Sequence, residues 1–187
     1  MTCGSRRRWA VLVTLWALGV AGCSPTTPAA APPTLGPWPP AALPQLGWVE
    51  VPLAQAGGGL FAVEAEAHGQ KLLLLLDGGA ATLALDRPAA ARLGLPLEPA
   101  RFKAVGLGAA GVAARSVRLP SLQLGPFACG PVTALVLDLA PLNQSRARGG
   151  DRPVDGVVGA DFLGAHQAVL DYPQHRLYLK PRDPDRQ

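Results

Sequence analysis

Aromatic and charged residues are scarce in this sequence of 187 residues, at 5% and 16%. No stretch interleaves aromatic with basic side chains, which is the pattern that stacks bases and neutralises phosphates. The formal net charge of +4 falls to +1 without Arg6, Arg7 and Arg8, which lie in a segment predicted to be removed. We therefore expect no nucleic-acid partner.

Cysteine and histidine are equally sparse, with three of each. Cys3 lies in the predicted N-terminal signal and Cys23, directly after it, is expected to be acylated, so Cys129 is left alone and no internal disulfide is expected. A catalytic Cys129 needs a histidine partner that the sequence does not reveal, and we interpret it as a structural thiol. The histidines lack the HxH or HxxxH spacing of metal ligands and stand at His68, His166 and His175. We expect no metal site and no other cofactor.

The apolar run near the N-terminus is too short for a membrane-spanning helix. It extends from Trp9 to about Val20, follows three arginines and ends in small residues, as signal peptides do. The ending VAGC resembles the bacterial lipoprotein signal, in which the cysteine, here Cys23, becomes the mature N-terminus and carries the lipid. The alternatives are an ordinary signal peptide cut elsewhere and an uncleaved anchor.

The resemblance to lipoproteins implies anchoring in a membrane of the cell envelope. Lipoproteins retained in the inner membrane typically have Asp after the cysteine, whereas this chain has Ser24, which favours the outer membrane, facing the periplasm. Residues 24–46 are rich in Pro and Ala and uncharged, which indicates an extended tether. The predicted organisation is a lipoprotein signal peptide at 1–22, a tether at 23–46 and a folded domain at 47–187.

Short strands separated by turns dominate the predicted domain. The segment LFAVEAEAHG at 60–69 alternates apolar and polar residues, as a half-buried strand does. The segment KLLLLLD at 71–77 shows no alternation, which predicts a strand buried on both faces. Many such strands with few helices indicate a mainly-β barrel or sandwich.

Helices and turns are predicted from their capping residues. Asp86 and Gly94 are typical of the start and end of a short helix. We predict a second short helix at 160–166, a polar loop at 143–155 and a closing hairpin whose turn is 172–175.

The leucine-rich strand ends at a carboxylate, Asp77, which is followed directly by Gly78 and Gly79. Four further features follow in order: a helix ending RLGL, the Gly-rich hairpin GLGAAG, the segment GVVGADFL and the closing hairpin AVLDYPQHRLYL. Together they are similar to the retropepsin-like aspartic proteases in their bacterial exported form, over about residues 58–180. The resemblance implies a retropepsin-like closed β-barrel or sandwich with a flap hairpin and one or two short helices.

The resemblance also implies a mechanism. In that family each subunit of a homodimer supplies one Asp, and the two carboxylates share a proton and activate water against a peptide bond. Asp77 matches this catalytic residue, and its active-site loop continues through Gly78, Gly79 and Ala80. The supporting loop matches Val157, Val158 and Gly159. The flap matches Gly106, Leu107, Gly108, Ala109, Ala110 and Gly111. A peptide or protein substrate and a homodimer follow from this match.

Gly78 departs from the family pattern. The family has Thr or Ser there, and its hydroxyl makes a hydrogen bond across the dimer axis. Such a bond stabilises the dimer by about 0.5–1.5 kcal/mol per side. Two functions stay open: an envelope aspartic endopeptidase, and a protease-like binding or assembly module that no longer cleaves. In a third alternative, an unrelated small β-barrel lipoprotein, Asp77 is a turn residue.

Other polar residues are expected to have structural roles. Asp161 is expected to cap or face out of the short helix, and Asp155 and Asp171 to accept hydrogen bonds at strand edges or turns. Three arginines are interpreted as part of a solvated loop that could bind an acidic partner: Arg146, Arg148 and Arg152.

Overall fold

The computed structural model describes residues 42–100, 105–106, 109–110 and 115–182. The strands are β1 (Val49–Pro52), β2 (Ala54–Gln55), β3 (Phe61–Ala67), β4 (Gln70–Leu76), β5 (Ala84–Asp86), β6 (Leu97–Pro99), β7 (Val105–Gly106), β8 (Ala109–Ala110), β9 (Arg115–Leu119), β10 (Leu122–Leu124), β11 (Phe127–Cys129), β12 (Val132–Leu137), β13 (Gly156–Val158), β14 (Val169–Asp171) and β15 (Arg176–Leu179). The α-helices are α1 (Arg87–Leu93), α2 (Ala140–Arg148) and α3 (Ala160–Ala165), and a 3₁₀ turn covers Pro44–Leu46. The prediction of a mainly-β fold is confirmed.

The largest sheet has ten strands in the order β11-β10-β3-β4-β13-β5-β12-β9-β6, with β2 paired to β3. Strand β13 lies between β4 and β5, which are neighbours in the chain. It pairs parallel with β4 and antiparallel with β5. The late segment GVV therefore completes the sheet beside the strand that carries Asp77.

The prediction of a closed barrel is corrected by this strand order. Within the described residues, β11 pairs only with β10 and β6 pairs only with β9, so the two ends of the sheet do not meet. Closure requires every strand to have a partner on both sides. The sheet is open, although its content and order of elements match the prediction.

A smaller sheet joins the two ends of the domain. Strand β15 lies between β1 and β14 and is antiparallel to both. The hairpin between β14 and β15 turns at 172–175, as predicted, with the His175 N–H donating to the Tyr172 carbonyl at 3.3 Å. At the start of this turn Asp171 accepts from the Gln174 N–H at 3.0 Å, so its predicted turn role is also confirmed.

Helix α1 follows the predicted signals. The Asp86 carboxylate accepts from the Arg87 N–H at 2.9 Å, and Gly94 ends the helix in the left-handed region at φ 65°. The same carboxylate oxygen accepts from the Leu139 N–H at 3.0 Å, just before α2. Asp86 therefore connects the starts of two helices, which a capping pattern alone does not predict.

The predicted polar loop at 143–155 is wrong at its start, because α2 covers Ala140–Arg148. The Asp138 carboxylate accepts from the Ala140 N–H at 3.0 Å, and a proline occupies the first turn. Arg146 is buried rather than solvated, and its guanidinium donates to the carbonyls of Ala56 and Arg152. The buried side of α2 is held by the hydrogen bonds of Arg146 rather than by a hydrophobic stripe. Its sequence therefore shows little apolar periodicity.

Candidate active site

Strand β4 is buried on both faces, and Asp77 follows its last residue at the surface. Leu74 and Leu76 pack into the larger hydrophobic core, whereas Leu75 packs into a second core on the opposite face. Both faces of β4 are therefore apolar, which explains the absence of alternation in the leucine run. The strand ends at Leu76, and Asp77 is exposed.

The loop after β4 is a tight turn stabilised by Asp77 itself. Its Oδ1 accepts from the Gly79 N–H at 2.8 Å, and its backbone carbonyl accepts from the Ala80 N–H at 3.1 Å. A Cβ at Gly79 would lie 3.1 Å from that Oδ1, which is a tight contact. The hydrogen-bonded carboxylate favours a glycine at this position.

Gly78 occupies open space. A Cβ built on it meets no heavy atom within 4 Å, and its φ is outside the left-handed region. A single chain thus has room for the Thr or Ser of the family pattern. The glycine is not required by the local backbone or by packing within the described residues.

The predicted supporting segment lies directly beside the Asp77 loop. Val158 pairs with Leu76, and its carbonyl accepts from the Asp77 N–H at 3.1 Å. A Cβ at Gly159 would lie 2.5 Å from the carbonyl carbon and oxygen of Thr82. Only a glycine lets this backbone approach the loop so closely. The structure therefore brings Val157, Val158 and Gly159 together with Asp77.

Asp161 contributes to this site in a way that its predicted role did not include. Its Oδ2 accepts from the Thr82 hydroxyl, and its Oδ1 accepts from the Leu83 N–H at 2.9 Å. An acidic residue in the first turn of a helix that follows a glycine is a weak signal for such a contact. The partner lies 79 residues earlier, which the local pattern does not indicate.

Asp155 accepts hydrogen bonds, as predicted, but from groups beyond its own turn. Its Oδ2 accepts from the Leu73 N–H in β4 at 2.8 Å, and its Oδ1 pairs with Arg92 of α1. These contacts connect α1 and the segment before β13 to the strand that ends at Asp77.

The predicted flap is described in part. Strands β7 and β8 form a separate antiparallel pair, with Val105 opposite Ala110 and Gly106 opposite Ala109. Leu107, Gly108 and Gly111 lie outside the described residues. The hairpin at the predicted position is present, and its role as a flap stays a prediction.

Cys129 and His166 form a pair that sequence reasoning missed. The Cys129 Sγ lies 3.4 Å from the His166 Nε2, and the His166 Nδ1 lies 3.0 Å from the Lys180 carbonyl oxygen. Because a carbonyl only accepts, Nδ1 carries the hydrogen and Nε2 accepts from the thiol. Burial raises the pKa of Cys129 and lowers the pKa of His166, so both are neutral near pH 7. A neutral pair supports the structural role predicted for the thiol.

The buried imidazole predicts a loss of stability in acid. The pKa of His166 is lowered in the folded state mainly by burial, so only the unfolded chain takes up this proton just below about pH 6.5. We expect the free energy of unfolding to decrease as pH falls from 7 towards the folded pKa. Urea unfolding at pH 5 to 8 should show a smaller pH slope for His166→Gln. The exposed His68 is the control, because His68→Gln should keep the wild-type slope.

The described residues contain no group of three or more His, Cys, Asp or Glu side chains that could hold a metal ion. Cys129 and His166 lack a third such group. The Asp77 loop offers one carboxylate and backbone N–H groups. A single exposed carboxylate in such a loop can act as a general base towards water.

The chain belongs to the aspartyl protease family. A family model described as aspartyl protease matches residues 63–162, more than half of the chain. The match begins in β3, contains the Asp77 loop and β13, and ends in α3. It confirms the resemblance found in the sequence, and it supports a protease function in general with peptide or protein substrates.

Three solved structures are similar to this one. The first is a retropepsin-like aspartic protease from Rickettsia conorii, with 20% identity, a TM-score of 0.48, and coverage of 71% of this chain and 90% of that one. The second is the retroviral protease-like domain of Ddi1 from Leishmania major, with 17% identity, a TM-score of 0.45, and coverage of 68% and 96%. The third is EIAV protease complexed with the inhibitor HBY-793, with 23% identity, a TM-score of 0.38, and coverage of 59% and 90%. No curated protein matches the sequence.

Proposed function

We propose that this chain is a lipid-anchored aspartic endopeptidase of the cell envelope that acts as a homodimer. One observation carries the proposal: Asp77 is an exposed carboxylate in a glycine turn, at the end of a strand buried on both faces. A rigid strand fixes the origin of the loop, and the turn presents the carboxylate where a substrate can reach it. Membership in the aspartyl protease family supports the reaction class.

The reaction that we propose needs two carboxylates. Two such groups about 3 Å apart cannot both ionise and therefore share one proton. The ionised Asp77 accepts a proton from water, which attacks the peptide carbonyl, while the protonated Asp77 of the second copy donates to the carbonyl oxygen. Proton transfer to the amine then accompanies cleavage of the C–N bond.

The homodimer is inferred from the number of catalytic motifs. Asp77-Gly78-Gly79 is the only Asp-x-Gly in the sequence, so one chain supplies one carboxylate of this kind. A second copy supplies the other. The open space around Gly78 is consistent with an approach of another chain at this loop. We further propose that the β7–β8 hairpin closes over the bound peptide.

The proposed location rests on the sequence before the domain. We propose that Cys23 carries the lipid and that the outer membrane, on its periplasmic side, is the site of anchoring. An extended tether before the 3₁₀ turn at Pro44–Leu46, at roughly 3 Å per residue, would span several tens of Å and would let two anchored domains meet. No helix in the described part of the chain is long and apolar enough to cross a membrane.

Gly78 favours a second candidate function, a protease-like binding or assembly module of the envelope. It lacks the hydroxyl that joins the two loops in the family, and it adds backbone freedom beside the catalytic residue. In such a module Asp77 has no chemical role. Asp77→Asn would then leave the cellular role unchanged.

Peptide cleavage by the full chain, purified in detergent, tests the proposal. The protein is incubated with a peptide library at pH 4 to 7, and products are identified by mass spectrometry at several protein concentrations. An obligate dimer should show a specific activity that rises with protein concentration until dimerisation saturates. If no peptide is cleaved at concentrations where sedimentation shows a dimer, the binding module is supported instead.

Gly78→Thr is predicted to strengthen the dimer. The new hydroxyl can restore one hydrogen bond per side, about 1–3 kcal/mol in total, which corresponds to a dissociation constant about 5- to 150-fold lower. The side chain fits because nothing lies within 4 Å of its Cβ position in the single chain. Analytical ultracentrifugation measures the change.

Gly78→Ala is the matched control for this prediction, because it adds a Cβ and removes glycine freedom without adding a hydroxyl. We expect its dissociation constant to stay within about threefold of the wild-type value. Equal effects of Thr and Ala would show that chain stiffness, and not a hydrogen bond between loops, controls dimerisation.

A further inference from the structure

We infer that Asp161 is a positioning residue that holds the Asp77 loop in place from within the same chain, through Thr82. The inference rests on the proposed function, since it concerns the geometry of the same loop. In the family pattern, the Thr or Ser after the catalytic Asp helps to hold this loop in position. Here we assign that role to Asp161 and Thr82.

Both oxygens of the Asp161 carboxylate are used by the segment that follows the loop. Oδ2 accepts from the Thr82 hydroxyl, and Oδ1 accepts from the Leu83 N–H at 2.9 Å. Leu83 is fully buried in the larger core. The carboxylate thus connects the end of the exposed loop to a residue that cannot move without disturbing the core.

Backbone contacts continue the same connection towards Asp77. The Ala160 N–H donates to the Ala80 carbonyl at 2.8 Å, and the Asp161 N–H donates to the Ala81 carbonyl at 3.2 Å. At the other end of the loop, the Asp77 N–H donates to the Val158 carbonyl. Residues 77–83 are therefore bound at both ends to residues 158–161.

The loop needs this support because its described residues make only two hydrogen bonds among themselves, both accepted by Asp77. Gly78 and Gly79 have the widest conformational freedom of any residue type. The Asp77 carboxylate accepts only the Gly79 N–H among the described hydrogen bonds. Placement of the carboxylate against its twin then depends on the contacts after the loop, and a displacement of about 1 Å can cost about 10²-fold in rate.

Four variants separate positioning from simple stability. Asp161→Ala removes the bonds accepted from Thr82 and Leu83 together with one from the Phe162 N–H. Asp161→Asn keeps an oxygen for the two backbone N–H groups and an amide that can donate to the Thr82 hydroxyl. Thr82→Val removes the hydroxyl at nearly constant shape, and Thr82→Ser restores it. The unrelated control is Asp138→Ala, which removes a carboxylate that accepts from the first residue of α2.

Kinetics of the full chain in detergent is the first measurement. Asp161→Ala and Thr82→Val should lower kcat by about 10- to 100-fold, with KM within about threefold. Asp161→Asn and Thr82→Ser should recover most of kcat, and Asp138→Ala should retain it. Wild-type kcat in Asp161→Ala, or failure of the conservative variants to recover it, overturns the inference.

Amide hydrogen exchange is the second measurement, and it does not require activity. The Gly79 and Ala80 N–H groups donate to Asp77 and not to Asp161. In Asp161→Ala and Thr82→Val they should exchange at least about tenfold faster, while amides of β3 and β4 keep their rates. Faster exchange confined to the Leu83 N–H would show that Asp161 makes only a local contact, and this result would overturn the inference. If the wild type cleaves nothing, the proposed function fails, and exchange alone still decides the role of Asp161.

Discussion

Asp77→Asn is expected to abolish peptide cleavage and to leave the fold intact. An amide cannot take a proton from water, so the pair loses its base, and removal of such a group typically costs about 10⁴-fold or more in kcat. Asn retains a side-chain oxygen in the position that accepts the Gly79 N–H. Because residue 77 is exposed, we expect the free energy of unfolding to change by less than about 0.5 kcal/mol.

The measurement is cleavage of the best library peptide, with urea unfolding of the same preparation. Asp138→Asn is the control, because it changes an exposed carboxylate that accepts from the start of α2. It should keep full activity. Cleavage that persists in Asp77→Asn would assign the activity to another group or to a contaminating protease.

Gly159→Ala is expected to have a large effect on stability, a loss of about 3 kcal/mol or more. The new Cβ would lie 2.5 Å from the Thr82 carbonyl, and the obstacle is backbone, which cannot rotate away. Thr82 is also held by Asp161, and Val158 by its pairing with β4. Overpacking typically costs about 1–3 kcal/mol even where side chains can adjust, so a rigid contact costs at least the upper value.

Gly164→Ala provides the matched control in the adjoining helix α3. A Cβ at Gly164 meets nothing within 4 Å, and alanine is the better helix former by about 0.5–1 kcal/mol. Urea unfolding should therefore show Gly164→Ala to be as stable as the wild type or slightly more stable. A wild-type unfolding curve for Gly159→Ala would contradict the close approach of β13 and the loop.

Local sequence patterns predict the structure correctly where the structure of a segment depends on its own residues alone. The leucine run predicted a strand buried on both faces, and β4 indeed lies between two cores. Asp86 and Gly94 predicted the ends of α1 because capping depends on a few adjacent residues. The position of Asp77 at the end of β4 followed from the same reasoning.

Contacts between distant segments could not be predicted from such patterns. Cys129 and His166 are 37 residues apart, and no local pattern connects the end of β11 with the end of α3. Helix α2 replaces part of the predicted loop, and its sequence gives no helical signal because the buried Arg146 binds carbonyls instead of forming part of an apolar stripe. The open ends of the sheet likewise depend on pairing, which strand order along the chain does not determine.

The insertion of β13 between β4 and β5 has a consequence for biosynthesis. Leu76 and Val158 are paired although roughly 80 residues separate them, so the strand that precedes Asp77 completes its pairing only after most of the domain has been synthesised. Until then β4 is paired with β3 on one edge only, and the unpaired second edge makes the emerging chain prone to aggregation. For the same reason a nascent chain that ends before residue 158 has no organised Asp77 loop. Under the proposed function, a chain with this topology is therefore inactive until β13 has been synthesised.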